Sequence, residues 1–343
     1  MPPALIFLLA LLAPQTAASP SPARRVVHVG PTSEAQFSTI QLAVDSAPES
    51  GLVILIAPGV YKEKLTISKD NIALVGVGKR PQDTVVTFGD SAKNTGSTFK
   101  SGTVTVTADG FEAENLSIVN TWWDEHPSPD DSSQAVALQI SSDRAVIDRV
   151  SLLSGQDTLF AGSLTCRNTP AGTPCDASRE FFNECFIQGH IDYIFGDAKA
   201  VFNSCELNSR QHPHVMITAQ SKHFREENSG YWMLHCRITG TDDGNRILLG
   251  RPWRPYSTVT FFDTEMQEEI AAEGWSDWDG RLATATYREY DSHGPGVNRG
   301  HRIVSSPPLT PAERAVLTPL ALLAGKDGWD PIRQVQELRA LIR

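Results

Sequence analysis

Two carboxylates in this chain are spaced to act on one another. Asp157 lies in Gly155-Gln156-Asp157-Thr158-Leu159, and Asp192 in Gly189-His190-Ile191-Asp192-Tyr193-Ile194-Phe195-Gly196. Each follows the same point of a repeated strand-like pattern by seven residues, Asp157 after Val150 and Asp192 after Cys185. If successive repeats stack as hydrogen-bonded neighbours, about 4.8 Å apart, the two aspartates stack with them. Carboxyls that close do not both ionise freely, so their pKa values split. One acid beside one base on a surface is a catalytic arrangement. Either Asp alone would read as ordinary turn chemistry; the matched offset and the neighbours favour catalysis. Gln156 precedes Asp157, and Gln134 opens Gln134-Ala135-Val136-Ala137-Leu138 one repeat earlier. Amide donors beside two acids suit a developing oxyanion. Leu249-Gly250-Arg251-Pro252-Trp253 adds a cation able to hold one Asp ionised and an indole able to stack on a sugar ring. Taken alone, that pentapeptide reads better as a surface Arg and a packing Trp.

The elements that must position these residues are short strands. Runs rich in Val, Ile and Phe begin with Val53 to Ile56, Ile72 to Val75, Val85 to Phe88 and Val104 to Thr107. A weak repeat includes Glu114-Asn115-Leu116-Ser117-Ile118, Asp148-Arg149-Val150-Ser151-Leu152, Asn183-Glu184-Cys185-Phe186-Ile187, Asn203-Ser204-Cys205-Glu206-Leu207 and Leu234-His235-Cys236-Arg237-Ile238. Its spacing of 20 to 35 residues is a solenoid period, and units of several strands without a long helix favour a parallel β-helix. Helical spacing at Phe37, Ile40 and Val44, stopped by Pro48, predicts a short helix near the N-terminus. Thr310-Pro311-Ala312-Glu313 predicts another, continuing through Leu317, Leu320 and Leu323 to Gly325, with a last one from Asp330-Pro331 through Leu341. Helices at both ends would cover the open edges of the stack. The reading is one all-β domain, residues 26–343, behind a leader at 1–18 and a linker at 19–25.

Ala4 to Ala13 is an apolar run followed by the small residues Thr16-Ala17-Ala18, which reads as a secretory signal although its first residues lack Lys and Arg. Nothing beyond it is long and apolar enough to span a bilayer. A net charge of −10 disfavours nucleic acid as a partner, while an acidic polymer would need a locally neutral or positive cleft. The nine histidines show no paired metal-ligand spacing, and no Gly-x-Ser-x-Gly elbow occurs. The sequon Asn115-Leu116-Ser117 falls inside a repeat strand, where modification is not expected. Five cysteines, Cys166, Cys175, Cys185, Cys205 and Cys236, leave at least one unpaired within the chain. Cys185 and Cys205 hold one repeat position 20 residues apart and are the preferred pair, with Cys205–Cys236 as competitor. Cys166 and Cys175 would close a nine-residue step.

In order along the chain, Gly59-Val60-Tyr61-Lys62-Glu63, the Gln134, Gln156-Asp157 and Asp192 blocks, and Leu249-Gly250-Arg251-Pro252-Trp253 resemble the pectin methylesterases. Ile217-Thr218-Ala219-Gln220, Glu273-Gly274-Trp275 and residues 289–296 extend the likeness. The resemblance implies a right-handed parallel β-helix with short helices at its ends, and a secreted, monomeric esterase acting on methyl-esterified pectin without metal or cofactor. It implies Asp192 as nucleophile, Asp157 as general acid and then base, Gln134 and Gln156 as oxyanion donors, and Arg251 as the residue that holds Asp192. Trp253, Phe195 and Thr98 would contact substrate, together with Gln134 and Arg251. The single-domain layout points to bacterial or fungal members. Two departures stand out: Tyr193 replaces a usual Phe, and residues 162–179 are longer than a tight turn. The alternatives are a chain-cutting pectinase of the same fold, a non-catalytic sugar-binding solenoid, and an esterase or thioesterase with another substrate.

Overall fold

The computed structural model describes residues 24–167, 169–240, 246–298, 300–304 and 306–342. The leader and most of the linker lie outside them. The chain joins the fold slightly earlier than expected, because Arg24 pairs with Glu112 and Arg25 opens the first strand, Arg25–Val29.

Three parallel sheets run the length of the molecule, and each full coil gives one strand to each. A ten-stranded sheet runs from Arg25–Val29 and Leu52–Ile56 to Thr258–Phe262 and Thr286–Tyr290. An eight-stranded sheet runs from Gly59–Tyr61 to Glu265–Met266, and a seven-stranded sheet from Leu65–Ile67 to Arg246–Gly250. Every strand pairs in parallel with the equivalent strand of the next coil, which makes a right-handed parallel β-helix. Register turns the repeat into columns. Ile147, Phe182, Phe202, Met233 and Phe261 are successive partners, all fully buried, and the rings of Phe182 and Phe202 stack at 4.6 Å. Each such side chain contributes about 1.5–3 kcal/mol by leaving water.

The corner from the ten-stranded to the eight-stranded sheet has one form throughout. Asn115, Arg149, Glu184, Ser204, His235 and Asp263 all have φ between 49° and 54°, and the residue after each turns inward and is buried. That inward residue is Leu116, Val150, Cys185, Cys205, Cys236 or Thr264, which explains the small apolar or Cys position of the repeat. Asn115 itself is buried, and its amide donates to the Gly76 and Gly78 carbonyls at 2.9 and 2.8 Å, so the sequon is closed to modification. The corner leading back to the ten-stranded sheet varies instead: residues 197–198 on one coil, 162–178 on the coil before it and 221–229 on the coil after it.

The expected Cys185–Cys205 disulfide is absent. Cys166 and Cys175 are bonded, with Cα atoms 5.6 Å apart, and Cys185, Cys205 and Cys236 are buried free thiols. In-register parallel neighbours send their Cβ atoms the same way, so their separation stays near the strand spacing of about 4.8 Å rather than closing to the ~3.8 Å a disulfide prefers. The three thiols form a ladder, each donating to a carbonyl of the preceding coil: Ile147, Phe182 and Phe202 at 3.3, 3.5 and 3.4 Å. Burial pushes the Cys185 and Cys205 thiols well up, which keeps them unreactive. Non-reducing peptide mapping should return the Cys166–Cys175 link alone, with the other three alkylated only after denaturation. Labelling of Cys185 in the native protein would contradict this.

The N-terminal helix is Ile40–Asp45, shorter than the spacing predicts, because Phe37 bridges to Val29 and Thr39 caps the helix by accepting from Leu42 N. Ile40, Ala43 and Val44 close the first coil's core. Near the C-terminus, Thr310 and Glu313 form the expected capping box, but the helix Pro311–Ala315 stops early and Pro319 begins another, Pro319–Leu322. The last helix, Pro331–Ala340, is capped by Asp330. These C-terminal helices do not cap the stack. Leu323, Val335 and Leu338 pack on Val146, Phe181, Val201 and Leu234, outward-facing residues of the ten-stranded sheet, and Arg339 grips Asp148 at 2.6 and 2.8 Å. The sheet's outer face is itself apolar, and the tail satisfies that face in preference to the edge.

Candidate active site

The seven-stranded sheet aligns the two aspartates. Leu159 faces Ile194 and Phe160 faces Phe195, and the same register two residues earlier sets Asp157 beside Asp192. The Asp157 and Leu159 amides donate to the Ile191 and Tyr193 carbonyls at 3.0 and 2.9 Å, which carries the pairing through the turn. Both aspartates are left-handed, with φ of 63° and 51°, a conformation that Asp tolerates better than most residues. On the preceding coil, the Ala135 amide donates to the Gln156 carbonyl at 3.0 Å and holds Gln134 alongside.

Arg251 distinguishes the two acids. Its Nε and Nη2 donate to Oδ1 and Oδ2 of Asp192 at 2.9 and 2.6 Å, a two-pronged grip that Asp157 lacks. The guanidinium is held in turn over the Trp278 ring at 4.2 Å, and the Arg251 amide donates to the Thr218 carbonyl at 2.9 Å. Asp157 and Asp192 are 9% and 6% exposed. Burial pushes Asp157 well up, the charge of Asp192 adds to this, and Arg251 opposes it only through space. Burial also raises Asp192, but there the hydrogen-bonded guanidinium pulls directly against it. The arrangement therefore favours the proton on Asp157 and the negative charge on Asp192.

A cavity of about 330 Å³ lies over the pair. All eight residues singled out from the sequence line it: Thr98, Gln134, Gln156, Asp157, Asp192, Phe195, Arg251 and Trp253. Phe99, Ala219 and Trp278 complete it. Neither Gln134 nor Gln156 has a side-chain hydrogen bond to another described residue, so both amides are free to meet a ligand. Val136, Phe160, Phe195 and Ala219 form an apolar floor with Trp253 against it. Among the described residues, no group of three or more His, Cys, Asp or Glu side chains is placed to hold a metal ion. A larger cavity of about 580 Å³ lies elsewhere, at the variable corner of the coils. There the cation Arg179 is already paired with Asp143 and Asp327, and Asp109 on the neighbouring coil is engaged in accepting from the Asp143 amide at 2.9 Å.

Tyr193 does not face the cleft; it is fully buried in the interior of the coils, so its hydroxyl does not alter the site's polarity. The long segment does reach the cleft. It carries the helix Leu164–Arg167 and the Cys166–Cys175 bond, its strand Cys175–Asp176 pairs with Glu227–Asn228, and Cys166 lines a cavity beside the site. Sequence reasoning missed Trp278. The blocks that carry the likeness include Trp275, a buried core residue against Tyr287, and resume at residue 289, while the indole three residues after Trp275 supports Arg251. A second Trp so close to the first was the available signal.

Residues 26–307 match the family model for pectinesterase. The chain is 33% identical over 300 residues to Pectinesterase QRT1 of Arabidopsis thaliana, covering 84% of this chain and 74% of that protein. Its structure resembles the pectin methylesterase from carrot with a TM-score of 0.76 and 28% identity, over 95% of this chain and 98% of that one. It also resembles a pectin methylesterase solved in complex with a hexasaccharide, with a TM-score of 0.70 and 30% identity, over 89% and 98% of the two chains. The first two are plant proteins, whereas the single-domain layout alone points to bacterial or fungal members. The chain belongs to the pectinesterase family of carboxylic ester hydrolases.

Proposed function

We propose that this protein removes methyl groups from esterified galacturonate units of pectin, releasing methanol and leaving the polysaccharide uncut. The observation that carries the reading is the Arg251 grip on Asp192 alone, which makes a base and an acid of two stacked carboxyls. Asp192 attacks the ester carbonyl carbon, and the carbonyl electrons move onto oxygen, where the Gln134 and Gln156 amides donate to them. Asp157 gives its proton to the methoxy oxygen as the tetrahedral species collapses, and methanol departs. The acyl group is left on Asp192 as a mixed anhydride. Asp157, now ionised, takes a proton from water, whose oxygen attacks the acyl carbon. Collapse frees the galacturonate carboxylic acid group and restores ionised Asp192 and protonated Asp157. The Phe195 and Trp253 rings offer apolar faces for sugar rings. The solved relative with a hexasaccharide is consistent with an oligosaccharide lying in this cleft. The leader-like residues 1–18 would send the enzyme out of the cell, where this substrate is found, and no helix among the described residues is long and apolar enough to cross a membrane.

Methanol release from methylated pectin, measured beside the appearance of reducing ends, tests the reading. Methanol without reducing ends is expected; reducing ends without methanol would replace the esterase with a chain-cutting enzyme. Gln156→Ala should lower kcat by roughly 10²–10³-fold, as loss of one oxyanion donor does. A change confined to KM would remove Gln156 from the oxyanion role.

A further inference from the structure

Asp192 is delivered by a turn, residues 190–193, between the strands Phe186–Gly189 and Ile194–Gly196. His190 opens that turn, is only 3% exposed and takes no part in the chemistry described above. Its ring Nδ1 accepts from the Ile191 amide at 2.8 Å. The Ile191 carbonyl in turn accepts from the Asp157 amide at 3.0 Å. Both peptide planes of Ile191 are thus fixed, one by the imidazole and the other by the coil that carries the second acid. Asp192 follows directly, at φ of 51°. The backbone of His190 is anchored on both sides: its amide donates to the Gly155 carbonyl at 3.1 Å, and its carbonyl accepts from the Met216 amide at 2.8 Å.

The ring is clamped as well. It stacks on His212 at 4.6 Å and meets Trp123 edge to face at 4.4 Å. Gly155 lies against both rings: a Cβ there would come within 2.5 Å of Trp123 and 2.7 Å of His190 Nε2. Burial, then the charges of His212 and Arg210, push the imidazole down to about 3, so it is neutral wherever Asp192 is ionised. A neutral imidazole that accepts at Nδ1 carries its proton on Nε2, and that atom is buried with no hydrogen-bond partner among the described residues. Leaving the donor unpaired costs about 1–3 kcal/mol, so packing alone does not account for an imidazole at this place. A benzene ring would stack between the same neighbours without that cost; what it lacks is the acceptor nitrogen.

We propose that His190 is a positioning residue for the acid pair: its ring nitrogen ties the turn so that the Asp192 carboxylate meets the Arg251 fork and lies in register with Asp157. It acts through the Ile191 backbone and does not line the cavity over the aspartates. The inference rests on the esterase reading above.

Two variants separate the nitrogen from the ring. His190→Phe keeps a ring for Trp123 and His212 but offers no acceptor. His190→Asn gives up the ring but keeps an acceptor, because Oδ1 stands as many bonds from Cβ as Nδ1 does. On methyl-esterified pectin, His190→Phe should lower kcat roughly 10²-fold, the cost of about 1 Å in the placement of a reacting group, with KM little changed. His190→Asn should recover most of that loss. A slackened Arg251 grip leaves burial to dominate Asp192, so the acid limb of the pH profile should move to higher pH in His190→Phe and return in His190→Asn. Wild-type kcat in His190→Phe, or a loss as large in His190→Asn, would overturn the proposal. So would an acid limb that stays in place while kcat falls, the mark of lost stability alone. Should either variant fail to fold, the wild-type protein decides. The ¹⁵N shifts of His190 should show the neutral Nε2–H tautomer at every pH at which the enzyme works; a ring that titrates in that range, or carries its proton on Nδ1, overturns the proposal. No methanol from wild-type protein would refute the esterase reading and this proposal with it; methanol from wild-type protein and from His190→Phe at equal rates refutes this proposal alone.

Discussion

Replacing Asp192 by asparagine is expected to abolish methanol release, with a loss of at least about 10⁴-fold, the scale seen when a nucleophile is removed. Asparagine is a better choice than alanine because the position has φ of 51°, which Asn adopts readily. The side chain also lies on the cleft wall and not in the interior columns, so the fold should survive. The amide can neither attack the ester nor meet both prongs of Arg251 as an acceptor. Asp157→Asn should be as damaging on methyl esters, for a different reason: methoxide leaves poorly without a proton. On an ester with an acidic phenol as leaving group, Asp157→Asn should release about one equivalent per enzyme and then stall, because the second step still needs a base. Near-wild-type turnover in Asp192→Asn, with a native circular dichroism spectrum, would sink the assignment, and the absence of a burst in Asp157→Asn would remove the two-step order.

Arg251→Gln should cost roughly 10³-fold in kcat/KM, because a buried carboxylate deprived of its cation loses about 3–5 kcal/mol. The pH profile says more than the rate. In the proposed mechanism the active form has Asp192 ionised and Asp157 protonated, so activity should rise as Asp192 loses its proton and fall as Asp157 loses its own. Burial raises both acids, and Arg251 lowers both, Asp192 directly and Asp157 through space. Removing the guanidinium should therefore move both limbs of the bell to higher pH, the acid limb further. The two limbs then lie closer together, and less of the protein is ever in the active form. Arg251→Lys keeps the charge but not the fork and should fall between. An acid limb that stays in place in Arg251→Gln would show that Asp192 is not the group being tuned.

The columnar part of this architecture was legible in the chain because it has a period. The matched offsets of Asp157 and Asp192 report in-register pairing, and the strands at Val53, Ile72, Val85 and Val104 lie where their residue types place them. The same period misled at the cysteines: it puts Cys185 beside Cys205 correctly but says nothing of side-chain direction, which forbids the bond. Packing across the coils carries no period. Nothing local to Leu323, Val335 or Leu338 says that they cover a sheet's outer face and not its end. Trp278 belongs to an irregular segment after the last strands of the site, so its contact with Arg251 arises only from the folded path. The break at Thr318-Pro319 was readable from the proline alone.

The two kinds of corner give the molecule separate places for constancy and for change. One corner is a single left-handed residue followed by an inward one on coil after coil, from Asn115 to Asp263. Adding a residue there would move the side chains of the strand that follows to the wrong face. The other accepts anything from residues 197–198 to residues 162–178 while the strands on either side keep their pairing. A descendant gene could lengthen, shorten or exchange that second loop, disulfide included, and leave the chemistry of the acid pair untouched. For the protein engineer it is a socket: loops transplanted at 162–178 or 221–229 should retune which polymers are accepted while the catalytic rungs stay as they are.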